Sequence, residues 1–101
     1  RKNTFQMYEL FAQFSMAADV DKPVILREIE EFFQDKTESK YLDGWENLGQ
    51  IYYDLGDMKN AVRIFRKYLE IRPSMAKIFR ENAKSGLLSE DLARELLPLI
   101  G

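Results

Sequence analysis

With no Cys and no His in its sequence, this chain can do chemistry only through carboxylates, amines, hydroxyls and amides. The composition removes thiol nucleophiles, disulfides, thiolate and imidazole metal ligands, and the usual general base near neutral pH. The remaining Asp, Glu, Lys, Ser and Tyr residues fall into no catalytic spacing, so no catalytic residue, cofactor site or metal ligand is assigned and an enzyme is not expected. Recognition is the chemistry left. Its raw material is segregated charge: residues 42–58 hold four carboxylates and no cation, whereas 59–84 hold eight cations and two carboxylates. Those cations are Lys59, Arg63, Arg66, Lys67, Arg72, Lys77, Arg80 and Lys84. Such a run can draw an acidic or phosphorylated partner, but more often it is a solvated helix face whose long stems cover apolar surface. Nucleic acid is not expected as a partner. No stacking aromatics interleave with the cations, and the net charge is −2.

Size and composition set the frame. At 101 residues the chain is expected to be a single domain able to bury a core without staples. Hydrophobic residues make up 46% and charged residues 32%, too apolar for disorder. No apolar run approaches the ~20 residues that cross a bilayer, and no basic-then-apolar leader is present, so the chain reads as soluble with no membrane span. It begins at Arg1 rather than Met, and is expected to be a fragment of a longer protein. The sequence does not specify a compartment, and cytoplasmic is the default.

The elements that must position these groups read as helices throughout. Phe5, Tyr8, Phe11, Phe14 and Ala18 step by three and four, predicting a helix over 4–18 with those residues inward. Pro23 suits a helix start, so a second helix is expected over 23–34, burying Leu26, Ile29 and Phe33. The polar stretch 35–40 reads as a loop. A third helix is predicted over 42–55 with Trp45, Leu48, Gly49 and Tyr52 inside. Gly56 supplies a left-handed end and Asp57 caps a fourth helix running to 72, burying Ala61, Ile64, Phe65, Tyr68 and Leu69. Pro73 stops it. Two short helices follow, over 75–83 and 89–97, separated by Ser85 and Gly86 and ended by Pro98.

Trp45, Leu48, Gly49, Tyr52, Ala61, Phe65 and Pro73 stand at the spacing of the tetratricopeptide repeat pattern. Allowing roughly one chance in ten per position from average residue usage, seven matches would arise about once in 10⁷ trials. Residues 41–74 therefore resemble a tetratricopeptide repeat. Small residues, Gly49 and Ala61, stand where two helices cross closely, and the aromatics fill the space around them. Thirty-four residues upstream, Phe11, Phe14, Ser15 and Ala18 keep the aromatic, apolar and small character, so 4–35 reads as a degenerate hairpin. Residues 75–98 read as a short capping hairpin. The expected fold is all-α: a right-handed solenoid of three helical hairpins, about six helices in all.

That resemblance implies a module for protein–protein interaction, taking a peptide or helix of a partner in its concave groove. Positions opposite the apolar stripes on the first helix of each hairpin are Glu9, Gln13, Met16, Glu46, Gln50, Tyr53, Lys77, Arg80 and Lys84, and these are the expected ligand groove. Tyr53 is its expected anchor. Family members that grip the carboxylate tail of heat-shock chaperones use Lys and Asn on the first groove helix. Here Ala12 and Met16 stand at those places and Asn47 alone matches, so that specificity is not implied. A different reading makes the chain a structural, self-associating segment of a longer repeat array, forming a homodimer through an exposed end of the solenoid.

Overall fold

In a computed structural model, which describes residues 2–101 and the side chains from Asn3 onward, the chain is all-α. Six α-helices are described: α1 Lys2–Met16, α2 Lys22–Phe33, α3 Leu42–Asp54, α4 Met58–Ile71, α5 Met75–Ser85 and α6 Glu90–Ile100, with one 3₁₀ turn at Ser39–Tyr41. They pack as consecutive hairpins. The backbone divides into two compact units, one ending at Tyr41 and the other running from Leu42 to Gly101.

In the first unit, α1 packs on α2. Pro23 sits in the first turn of α2, where its missing N–H costs nothing because that amide has no partner within a helix. Leu26, Ile29 and Phe33 are buried as their spacing demands. Phe33 meets Phe11 of α1 at 5.9 Å between ring centroids, Phe32 meets Phe33 edge-on at 5.1 Å, and Tyr41 closes the cluster against Phe32 at 6.2 Å.

The inward face of α1 differs from the expected one. Met7, Leu10 and Phe14 are buried, while Phe5 and Tyr8 are 70% and 62% exposed and Ala18 lies exposed beyond the helix end. The cause is an apolar arc too wide to choose a face. Phe5, Met7, Tyr8, Leu10, Phe11 and Phe14 cover more than half the helix circumference, and two stripes with three-and-four spacing can be drawn through them. Packing against α2 selects one.

In the second unit, α3 and α4 make the closest helix pair, α5 pairs with α6, and α4 also packs on α6. Trp45, Leu48, Gly49 and Tyr52 of α3 and Ala61, Ile64, Phe65, Tyr68 and Leu69 of α4 are all buried. Gly56 and Gly86 adopt φ of +80° and +84°, the left-handed conformation that lets a helix end without a Cβ clash. Asp57 caps α4 by accepting the Asn60 backbone N–H at 3.2 Å. The Asn60 side-chain amide donates to the same carboxylate at 2.7 Å. The Asn60 hydrogen bonds are the leading reason why the Asp57 carboxyl is held below the usual aspartate range.

Pro98 does not stop α6, which continues through it to Ile100. A proline this near the end forfeits one hydrogen bond, to the Arg94 carbonyl. Ile100 is 2% exposed, and Arg80 Nη1 donates to its carbonyl at 2.7 Å. Burial and that cap hold the last turn in place.

The α3/α4 crossing leaves no room for a methyl group. A Cβ built on Gly49 would stand 2.8 Å from Phe65 Cε2, and Phe65 cannot withdraw freely because Phe79 stands 5.9 Å behind it, ring to ring. Gly to Ala inside a helix ordinarily stabilises by about 0.5–1 kcal/mol. Gly49→Ala is expected to lower the melting temperature instead, and Ala61→Leu, at a residue with no exposed surface, to cost about 1–3 kcal/mol by overpacking. Thermal unfolding followed by circular dichroism checks both, and a rise in melting temperature for Gly49→Ala would contradict the close crossing.

Candidate functional site

The residues that define one depression of the second unit come from three places. From α3, Asp43, Glu46, Asn47 and Gln50 project from the polar stripe opposite the buried Trp45–Leu48–Tyr52 face, since steps of three, four and seven return a helix to the same side. The floor is Phe65 of α4 and Phe79 of α5, and the far wall is Asn82 with Leu87 and Leu88 of the α5–α6 turn. The Leu88 N–H donates to the Asn82 carbonyl at 3.1 Å, which holds that turn against the end of α5. Together they enclose a cleft of about 300 Å³.

Its electrostatics are set by two carboxylates without cations. Among the described residues neither Asp43 nor Glu46 has an ion-pair or hydrogen-bond partner. Burial pushes the Glu46 carboxyl above the usual glutamate range, and the neighbouring Asp43 charge pushes it further. Tyr68, 3% exposed, is pushed up to about 12, first by burial and then by the Glu46 and Asp43 carboxylates. The side-chain amides of Asn47 and Asn82 likewise make no hydrogen bond to a described residue, whereas the Gln50 amide donates to Asp54 at 2.9 Å. The cleft therefore offers negative charge and two uncommitted amides above an aromatic floor, a surface suited to a peptide backbone and a Lys or Arg side chain.

The groove residues expected from the sequence fall in different places. Glu46 and Gln50 line this cleft. Arg80 and Lys84 line a second one, between α5 and α6. Lys77 is exposed and lines neither. Tyr53 is half-buried, and its hydroxyl donates to Asp91 Oδ1 at 2.8 Å, tying α3 to α6. That bond is the main reason why the Asp91 carboxyl lies below the usual range. In the first unit, exposed Glu9, Gln13 and Met16 stand on α1, and Gln13 and Met16 border an apolar depression of about 540 Å³ with Ala17, Asp21, Val24 and Ile25. Asp43, Asn82, Leu87 and Leu88 were absent from the expected set. Asp43 could have been found as the i−3 neighbour of Glu46 and Asn82 as the i+3 neighbour of buried Phe79. The two leucines carry no local signal, because only the α5–α6 turn brings them to the cleft.

Residues 42–75 match the family model for a tetratricopeptide repeat, within one residue of the boundaries read from the sequence. These residues are a tetratricopeptide repeat. No curated protein and no solved structure matches the chain significantly. A tetratricopeptide repeat implies a protein-interaction module, and the repeat belongs to a class that is typically non-catalytic. Among the described residues no cluster of acidic side chains is placed to hold a metal ion, and no helix is long and apolar enough to cross a membrane.

The raised Glu46 carboxyl has a consequence with a definite sign. A folded-state value above the unfolded one means that the charged form is disfavoured by folding, so the protein gains stability as pH falls and Glu46 takes up its proton. Glu46→Gln is expected to melt higher than the parent at neutral pH. The gap should close as pH drops through the glutamate range, where the parent becomes neutral too. Melting temperatures measured across pH check this, and a lower neutral-pH melting temperature for the variant would mean that the Glu46 charge is compensated in the fold.

Proposed function

We propose that the chain is a protein-interaction module whose tetratricopeptide repeat takes a peptide or short helix of a partner protein in the α3/α5 cleft, with a Lys or Arg of the partner between Asp43 and Glu46. The observation that carries this reading is the pair of carboxylates lining the cleft, Asp43 and Glu46, one helical turn apart on α3 and with no ion-pair or hydrogen-bond partner for either among the described residues. An incoming guanidinium or ammonium would supply the missing counter-charge and make charge-assisted hydrogen bonds to the two carboxylates. Asn47 and Asn82 would hold the partner's backbone from opposite walls, and Phe65 and Phe79 would support an apolar side chain.

A structural, self-associating role is the alternative. It draws on the apolar depression of the first unit, where Met16 and Val24 are 85% and 55% exposed, because a second copy could cover such a surface.

Capture of partners on the immobilised chain, identification by mass, and amide-shift mapping with the retained protein test the proposal. Shifts are expected at Asp43, Glu46, Asn47 and Asn82, and Glu46→Lys should weaken binding roughly tenfold or more, with a slower, salt-dependent association. Shifts confined to the outer face of α4, around Arg63 and Lys67, would place the site elsewhere and end the proposal. A chain that captures nothing, yet dimerises tightly when its size is followed across concentration, would favour the self-associating role.

A further inference from the structure

The second cleft of the same unit has the opposite character. α5 and α6 enclose about 450 Å³ over a floor of Ala83, Ala93, Leu97 and Ile100. The two alanines are too small to fill the space between the helices, and Leu97 is 58% exposed above them. This is apolar surface left facing water, which an apolar side chain would cover favourably.

The rim decides which apolar segment fits. Arg80, Lys84 and Arg94 stand around it with one side-chain carboxylate, Glu90. Glu90 reaches Arg94 at 3.8 Å with both side chains largely in water, a pair that contributes little and is readily exchanged. Arg80 is fixed by its hydrogen bond to the Ile100 carbonyl, so its positive charge stays at the cleft. Lys84 has no ion-pair partner among the described residues. A basic segment would meet three cations here, and a phosphate polymer brings no side chain to fill the floor.

We propose that the α5/α6 cleft is a second docking surface, and that its occupant is an acidic amphipathic segment of a partner protein. Its apolar side chains lie over Ala83, Ala93 and Leu97, and its carboxylates turn toward Lys84 and Arg94. Charge complementarity selects this occupant, and the inference stands apart from the α3/α5 reading, since the two clefts are lined by different residues and attract opposite charges.

Two fluorescent peptides with the same Leu and Ala pattern, one with Glu and the other with Lys at every polar position, test the proposal through anisotropy titrations with the full chain. The Glu peptide is expected to bind, the Lys peptide to fail, and amide shifts with the Glu peptide to map to α5 and α6. The double variant Lys84→Glu, Arg94→Glu should weaken the Glu peptide roughly tenfold or more, with the exposed control Lys59→Glu unchanged and circular dichroism confirming that both variants are folded. Equal binding of the two peptides, no saturation by the Glu peptide into the millimolar range, or full affinity in the double variant would each overturn it. So would an oligonucleotide that binds as tightly as the Glu peptide. Dimerisation of the chain that Leu97→Glu abolishes would hand the cleft to a second copy and overturn it as well.

Discussion

The second unit depends on the contact between the Phe65 ring and the bare Cα of Gly49. Because a Cβ at Gly49 would stand 2.8 Å from that ring, α3 and α4 approach as closely as they do only with glycine there. Phe65, drawn into the crossing, meets Phe79 of α5 at 5.9 Å, and Phe79 in turn stacks on Tyr68 at 5.4 Å. Phe79 is the one residue of α5 buried outright. The short helix is thus attached to the repeat largely through aromatic contacts, each of which adds directional preference to the area it buries. The floor of the acidic cleft is made of the same two rings, Phe65 and Phe79, so a packing constraint and a candidate binding surface share their atoms.

Charge not needed for folding is distributed around that packed centre. Among the described residues the buried side chains include no charged group, and the described ion pairs are surface pairs of adjacent or nearby residues, worth little to stability. The fold therefore leaves most of its charges to solvent. Asp43 and Glu46 differ in standing together without a counter-charge among the described residues, and partial burial with the Asp43 charge nearby raises the Glu46 carboxyl. On the α5/α6 side the sign reverses, and cations stand over a floor of alanine, leucine and isoleucine. One unit of sixty residues thus presents two chemically distinct faces.

Residue spacing alone determined much of this protein. The interior faces of α2, α3 and α4 were legible because each has one narrow apolar stripe, and the repeat was legible because close helix crossing demands Gly49 and Ala61 at fixed positions with aromatics around them. Helix ends marked by Gly56, Asp57 and Gly86 were legible for the same local reason: left-handed backbone and capping hydrogen bonds are properties of one or two residues. Tertiary structure decided the rest. α1 has too broad an apolar arc to announce its face, and its partner chose Met7, Leu10 and Phe14. Pro98 carries a local stop signal, which the burial of Ile100 overrode. The groups beside Glu46 in its cleft come from three helices and a turn, and Tyr53 faces Asp91 across 38 positions of sequence. Periodicity reports which side of a helix avoids water. It carries no information about which other helix arrives there, because that depends on the volumes and shapes of side chains distant in the chain.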